Sequence, residues 1–279
     1  MMKALGKNFV DGFALQSYLT AEEGLSYAAQ HHYDYWYIDG SIHTDFIDQW
    51  TDHRIEKLLI LCQKHNIKPI YHGNFKVPLA SDVESLRLCA VEYVKKEIDI
   101  CAKLNCPLIM HGSAVIEPRK VLLAKKIALK GLIKSLQTLQ QYANDRNVTL
   151  WLENLSNYPN YKPFSYIGTT REEFLFILSE VEIRLFFDFG HANVNAKDCV
   201  EDFFKTFMPH IAGVSMSNND GKLDQHLALE DGSIDYRNIV KLMIDNHWHG
   251  IVGFETRNAL PQESINTFKS LTHAASVSQ

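Results

Sequence analysis

IRLFFDFGH, at residues 183–191, opens as a short apolar run and ends in two polar side chains, Asp188 and His191. The run is too short for a helix and nearly continuous in apolar character, which is typical of a strand buried on both faces of a parallel sheet. A carboxylate at the end of such a strand is costly to bury unless a cation or hydrogen bonds compensate its charge. This segment therefore predicts a parallel sheet and a polar site at the ends of its strands.

Segments of the same character recur along the chain and alternate with segments of helical period. The strand candidates are 8–15, 34–39, 68–73, 107–112, 148–154, 183–190, 211–218 and 250–256. Capping sequences open helices at Thr20 and Thr170, and further helices are expected at about 81–105, 119–146, 235–247 and 262–276. These alternations predict an α/β fold, with residues 1–279 forming a single (β/α)8 TIM-barrel domain. A doubly wound open sheet is the alternative, but the chain has no glycine-rich phosphate loop.

The composition is that of a globular protein without a strong charge bias. Hydrophobic residues make up 46% of the 279 residues, charged residues 22%, and the formal net charge is −5. This balance gives no electrostatic reason to expect a nucleic-acid or membrane partner. The sequence has no signal-peptide pattern, no apolar run of membrane-spanning length and no CxxC pair among its five cysteines. We therefore expect a cytoplasmic protein, and the sequence makes no prediction of its oligomeric state.

Several other predicted strands also end in residue types that bind metals. These ends carry His72, His111, Glu153, Asp188 with His191, and Glu255. In a barrel the carboxyl ends of the strands meet on one rim, where converging carboxylates would repel one another. Any one of these residues alone could be structural, but a divalent metal explains all of them together. Asp224 and His226, in the loop after the seventh strand, are a further candidate ligand pair.

These residues resemble the xylose isomerase-like TIM-barrel superfamily, which includes sugar and sugar-phosphate isomerases and epimerases as well as endonuclease IV. The resemblance covers the chain from about the third strand onward and is carried by WLEN at 151–154, FDFGHA at 187–192, the segment 210–235 and GFE at 253–255. It implies that Glu153, Asp188 and Glu255 are three of the four metal ligands shared by the superfamily. The fourth ligand is expected to be a histidine, and Ser215 stands in its place.

The resemblance also implies a larger set of metal ligands. His72, His111, His191, Asp224 and His226 match the additional ligands of the endonuclease IV branch. Mixed histidine and carboxylate ligands suit zinc or manganese first, then cobalt, with magnesium less suited as the number of histidines rises. The expected cofactor is therefore a divalent metal.

The favoured function is that of a metal-dependent isomerase or epimerase of a small sugar, polyol or sugar phosphate. Glu153 and Glu255 would transfer the proton next to a carbonyl, and Arg257 would bind a substrate oxygen, unless it is simply a surface arginine. The aromatic residues considered for the wall of a sugar pocket are Phe13, Trp36, Tyr37, Phe75 and Tyr158, although a core position is the commoner place for an aromatic in such a barrel.

Three alternatives stay open at this point. An endonuclease IV-like multi-zinc phosphodiesterase is supported by the histidines, but Ser215 and the lack of a basic, aromatic loop for duplex binding count against it. A dehydratase or aldolase would use the same metal and the same bases. A barrel with a degraded, non-catalytic site is the third.

Overall fold

The computed structural model describes residues 10–16, 19–158, 163–195, 200–258 and 260–277. Parallel strands form a closed barrel in the order β1-β2-β3-β4-β6-β8-β9-β10, and β10 pairs with β1. The barrel strands are β1 (Val10–Leu15), β2 (Tyr35–Asp39), β3 (Lys68–His72), β4 (Leu108–His111), β6 (Leu150–Glu153), β8 (Arg184–Asp188), β9 (Ile211–Met216) and β10 (Gly250–Phe254). Two short strands outside the barrel, β5 (Ala114–Ile116) and β7 (Phe164–Tyr166), pair with each other in antiparallel fashion.

Helices follow the strands and shield the outside of the barrel. They are α1 (Ala21–Gln30), α2 (Asp52–His65), α3 (Glu84–Leu104), α4 (Val121–Asn144), α5 (Arg171–Glu180), α6 (Phe189–Val194), α7 (Val200–Phe207), α8 (Tyr236–Asp245) and α9 (Pro261–Val277). Among the residues described, no helix combines the length and the apolar character needed to cross a membrane.

The predicted barrel fold is confirmed. All the strands and helices named from the sequence are present, and their ends differ from the expected ones by at most three residues. Residues 8 and 9 of the first predicted strand lie outside the described residues, and the assignment of residues 1–279 to one domain stays a prediction. The sequence analysis missed the β5–β7 pair because each strand has only three residues, too few to show an alternating pattern, and because α4 and β6 separate them in the chain.

The barrel interior explains why polar residues gather at one end. A small apolar cluster fills the interior and consists of Ala14, Tyr37, Ile70, Ile109, Trp151, Phe186 and Ile251. Alternate residues of a strand face the same side of the sheet, so the residue two positions further along also points inward. Those next inward positions are Gln16, Asp39, His72, His111, Glu153, Asp188 and Gly253. The strand period therefore places a polar layer directly above an apolar plug.

The antiparallel β5–β7 pair joins the loops after β4 and β6, and backbone contacts beside it connect the same two loops. Ile167 N donates to Ser113 O at 2.9 Å, and Leu155 N donates to Gly168 O at 2.8 Å. A Cβ atom on Gly112 would lie 2.1 Å from the carbonyl oxygen of Ile167, so only glycine allows this approach. The loops after β4 and β6 are thereby fixed against each other beside the strand ends.

We expect the capping box of α1 to stabilise the fold measurably. The Thr20 hydroxyl accepts from the backbone N–H of Glu23, whose carboxylate in turn accepts from Thr20 N at 3.1 Å. Thr20→Ala should lower the free energy of unfolding by about 1 kcal/mol in urea denaturation. Thr138→Ala is the matched control, because its exposed hydroxyl only donates to the carbonyl of Lys134 within α4. An equal loss in both variants would show that the capping box contributes nothing specific.

Candidate functional site

Glu153 lies at the centre of the polar layer. Its side chain ends β6, is only 1% exposed, and is surrounded by imidazoles from two neighbouring strands. His72 Nε2 and His111 Nε2 lie 3.5 and 3.6 Å from Glu153 Oε2. One potential ligand atom from each of these three residues lies within 4.8 Å of the others, a spacing that suits a single metal ion. We call these three residues the first cluster.

Glu153 also belongs to a second cluster, with Asp188 and His191. Their potential ligand atoms again lie within 4.8 Å of one another, and His191 Nδ1 is 3.3 Å from Glu153 Oε1. Asp188 ends β8 and caps α6 by accepting from the backbone N–H of His191, which explains why the FDFGH segment turns into a helix at this point. The shared carboxylate of Glu153 therefore connects both clusters.

The loop after β9 adds two more predicted residues to the site. Asp224 Oδ2 lies 2.8 Å from His226 Nε2 and 3.3 Å from His191 Nε2. The loop is tied down at both sides, because Asn218 and Leu227 exchange backbone hydrogen bonds and Arg257 N donates to His226 O at 2.8 Å. The structure thus brings all the predicted histidines and carboxylates to one mouth.

Backbone carbonyls set the orientation of two of the rings. His191 Nδ1 lies 2.8 Å from Asn154 O, and His226 Nδ1 lies 3.0 Å from Glu255 O. A proton on each Nδ1 would donate to the carbonyl and leave each Nε2 directed at Asp224. Hydrogen bonds of this kind are the usual way in which proteins orient metal-binding histidines.

Asn154 locks the ends of β6 and β8 together. This buried side chain donates from Nδ2 to Asp188 O at 2.9 Å and accepts from Asp188 N at 2.8 Å. The two bonds fix the backbone that carries Asp188 relative to the neighbouring Glu153. The sequence marked Asn154 only as part of the WLEN segment and gave no hint of this bracing role.

The electrostatics of the mouth reflect an excess of buried negative charge. Burial raises the pKa of Asp188 to about 7, and the neighbouring Glu153 adds to the rise although His191 opposes it. Burial would also raise the pKa of Glu153, but the imidazoles around it outweigh that effect and hold this pKa well below its usual value. The pKa of His72 is raised to about 10, because Asp39 and Glu153 together overcome the effect of burial.

The donor set fits a divalent cation. Glu153 Oε2, Asp188 Oδ2 and Asp224 Oδ1 are buried and have no hydrogen-bond partner among the described residues. Buried carboxylate oxygens without partners are unfavourable, and a cation compensates them directly. Nitrogen and oxygen ligands in this mixture suit zinc or manganese.

A cavity of about 220 Å³ opens over the two clusters. Its wall includes Phe75, Tyr158 and Arg257, three of the residues considered for substrate contact, together with Glu255. Of the other three aromatic candidates, Trp36 is fully buried and Tyr37 belongs to the barrel interior, whereas Phe13 is partly buried and packs against Phe254 and Phe268 of the core.

Ser215, Glu255 and Gln16 form a separate polar group at the mouth. Ser215 is fully buried, and its Oγ lies 3.0 Å from Gln16 Oε1 and 3.3 Å from Glu255 Oε2. Glu255 belongs to neither cluster of closely spaced ligand atoms found among the described residues. Sequence reasoning missed Gln16, because a neutral amide after a strand carries no signal of a site. It also missed Asp39, although the end of the second strand could have revealed this carboxylate.

Comparisons with known proteins support the sequence resemblance. A sequence model described as xylose isomerase-like TIM barrel matches residues 25–271. An uncharacterized protein of Methanocaldococcus jannaschii, MJ1614, is 27% identical over 184 residues, which cover 65% of this chain and 68% of that protein.

Two solved structures show the same fold. A D-tagatose 3-epimerase-like protein has a TM-score of 0.84 at 20% identity, with 96% of this chain and 99% of that chain covered. The IolI protein, crystallised with a zinc atom, has a TM-score of 0.72 at 19% identity and covers 92% of this chain and 93% of its own. At these identities the likeness establishes the barrel architecture.

We expect Asn154→Ala to destabilise the protein strongly. The substitution leaves the backbone N–H and C=O of Asp188 buried without their present partner, which should lower the free energy of unfolding by about 2–4 kcal/mol. Asn144→Ala is the control, because Asn144 is exposed and bonds only its helical neighbour Gln140 in the contacts resolved, so its effect should stay within about 0.5 kcal/mol. Similar urea midpoints for the two variants would contradict the bracing role.

Proposed function

Because this chain belongs to the xylose isomerase-like TIM-barrel family, we propose that it is a metal-dependent isomerase or epimerase of a small sugar, polyol or sugar phosphate. The observation that supports this most directly is the set of buried carboxylate oxygens without partners, which face histidines under a small cavity. The nearest imidazole nitrogens lie 3.5 and 3.6 Å from Glu153 Oε2, beyond the usual hydrogen-bond distance, and a cation bound among these groups would compensate the oxygens directly.

The metal would be held by residues of both clusters and of the loop after β9. These are Glu153, Asp188, His72, His111, His191, Asp224 and His226, with zinc or manganese as the preferred ion. A bound divalent cation polarises a carbonyl oxygen and stabilises the negative charge that develops when a neighbouring proton leaves. Glu153 is the central ligand of this proposal because it belongs to both clusters.

The cavity suits a compact polar substrate. Its volume of about 220 Å³ is below the range of roughly 300–1,000 Å³ typical of pockets for drug-sized ligands. Phe75 and Tyr158 would contact the carbon skeleton, and Arg257 would donate to a substrate hydroxyl or phosphate oxygen. The similarity to a D-tagatose 3-epimerase-like protein supports a carbohydrate as the substrate.

Proton transfer is assigned to Glu255 and Glu153. Both carboxylates line the cavity, on strands separated by β8 and β9 in the barrel order. A carboxylate on each side of a bound substrate can remove a proton from the carbon next to the carbonyl and return one to the same or the adjacent carbon. Return to the opposite face of the same carbon gives an epimer, and return to the adjacent carbon gives an aldose–ketose isomer.

A phosphodiesterase of the endonuclease IV kind is the second candidate. The gathering of His72 and His111 on one side and His191, Asp224 and His226 on the other favours it. Against it stand Ser215 at the position of an expected ligand and a net charge of −5. Dehydration or aldol cleavage on the same site would differ from the main proposal only in the products.

We expect the purified protein to contain a divalent metal that depends on Glu153. Elemental analysis of Glu153→Gln should show at least half of the metal lost, because this carboxylate contributes to both clusters, and Asp188→Asn should also lower the content. Glu182→Gln is the control for the same chemical change on the surface and should keep the wild-type content. Full metal content in both site variants would show that these residues are not ligands.

We also expect the metal-loaded protein to exchange a carbon-bound proton of its sugar with solvent. A panel of ketoses, aldoses and their phosphates incubated in D2O should show deuterium incorporation by NMR next to the carbonyl of at least one sugar. Glu255→Gln should lower this rate at least 100-fold, and the wild-type protein should leave abasic-site DNA intact. Efficient incision of that DNA with no exchange in any sugar would favour the phosphodiesterase instead.

A further inference from the structure

Three residues that are far apart in sequence meet beside the metal clusters. Gln16 follows β1, Ser215 lies in β9 and Glu255 follows β10. Gln16 Nε2 donates to Glu255 Oε2 at 3.3 Å, while Ser215 Oγ lies 3.0 Å from Gln16 Oε1 and 3.3 Å from the same Glu255 oxygen. Gln16 is 6% exposed and Ser215 is fully buried. One oxygen of Glu255 therefore accepts from the Gln16 amide and lies beside the Ser215 hydroxyl, whose single proton goes either to this oxygen or to Gln16 Oε1.

The small size of Gly253 makes room for this arrangement. In the barrel, Gly253 pairs with Ala14 on one side and with Ser215 on the other. A Cβ atom on Gly253 would lie only 2.5 Å from Gln16 Oε1, so the glutamine side chain lies directly over the glycine. The amide thus fills the space next to Ser215, at the position where the family resemblance leads us to expect an imidazole.

Glu255 lies further out than the carboxylates of the two clusters for a geometric reason, and its Oε1 lies 3.9 Å from His226 Nδ1 at the edge of the cavity. The inward position of β10 that follows Ile251 is Gly253, which has no side chain, and Glu255 is one inward position further out. The cluster carboxylates Glu153 and Asp188 come directly after Trp151 and Phe186 of the apolar plug. Within the described residues, neither group of ligand atoms closer than 4.8 Å includes Glu255. Asp224 and His226 also lie outside both groups, but Asp224 Oδ2 is 3.3 Å from His191 Nε2 of the second cluster, whereas the contacts of Glu255 Oε2 are to Gln16 and Ser215.

We propose that Gln16 and Ser215 are positioning residues that hold Glu255 outside the metal shell and aim its other oxygen at the substrate. This proposal deepens the isomerase or epimerase function and rests on it. The departure from the family pattern at Ser215 then has a consequence: a ligand is lost, and a carboxylate that would have closed the metal shell is kept for proton transfer. Gln16 takes over the space of the missing ligand.

Metal binding tests the first half of the proposal without any substrate. Zn²⁺ and Mn²⁺ affinities and stoichiometries are measured by competition with a chromogenic chelator. Glu255→Gln should bind both ions within threefold of the wild-type affinity, whereas Glu153→Gln should lose at least tenfold. Ser215→His alone should bring no gain, because Gln16 occupies the space, and Gln16→Gly combined with Ser215→His should gain at least tenfold.

Turnover tests the second half. Gln16→Met keeps the shape of the side chain but removes both hydrogen-bonding groups, so it should stay folded and retain metal content, with a lower thermal midpoint because Ser215 and Glu255 lose a partner. The turnover number for sugar proton exchange should nevertheless fall at least tenfold, with KM within threefold of the wild-type value. The reason is that Glu255 would no longer be held in position to transfer the substrate proton. A side chain that only fills space would give unchanged turnover in this variant.

The possible outcomes distinguish a failure of the proposed function from a failure of the inference about Glu255 and Gln16. A wild-type protein that binds neither Zn²⁺ nor Mn²⁺ would contradict both the proposed function and this inference. Metal binding that drops as sharply in Glu255→Gln as in Glu153→Gln would overturn the inference alone, since Glu255 would then be a ligand. Full turnover of Gln16→Met, or a tenfold affinity gain from Ser215→His alone, would likewise overturn the role of Gln16 and leave the function in place.

Discussion

The burial of the Glu153 carboxylate is the constraint on which the mouth of this barrel depends. A carboxylate with 1% exposure is tolerated only where positive charge or hydrogen-bond donors surround it. Here three imidazoles surround the carboxylate, those of His72 from β3, His111 from β4 and His191 from α6. Two of these rings have a further partner: His72 faces Asp39, and His191 faces Asp224 and the backbone carbonyl of Asn154. The polar groups around Glu153 thus either compensate its buried charge or hold the side chains that do so.

The barrel supplies the geometry for this network through the two-residue period of its strands. The apolar interior cluster sets which residues point inward, and the next inward position on most strands is polar. The same residues that exclude water from the interior thus fix where the ligands stand. A shift of one residue in any of these strands would turn its ligand outward, so the apolar packing and the site cannot vary independently.

The strand ends by themselves would leave the side chains of the site loosely positioned. A buried amide and contacts between loops hold these strand ends and loops together. Asn154 joins β6 to β8, and the loop that carries Asp224 and His226 is tied to the segment after β10 through Arg257. The FDFGH segment turns from strand to helix at Asp188, so one carboxylate serves both as a helix cap and as a candidate ligand. Such double use leaves little freedom for the side chains that would meet a substrate.

The sequence by itself determined the fold class, the order of the elements and most of the charged residues that gather at the mouth, although it missed Asp39. It could do so because buried parallel strands are recognisable as short apolar runs, and because a carboxylate or histidine at the end of such a run stands out against its surroundings. Only the tertiary structure decided how these residues group around Glu153, that Asn154 braces two strands, and that β5 pairs with β7. It alone revealed Gln16, which lies 199 residues from Ser215 in the chain. Neutral amides and hydroxyls occur throughout a sequence, so a contact between them appears only when the closure of the barrel brings the first strand next to the last.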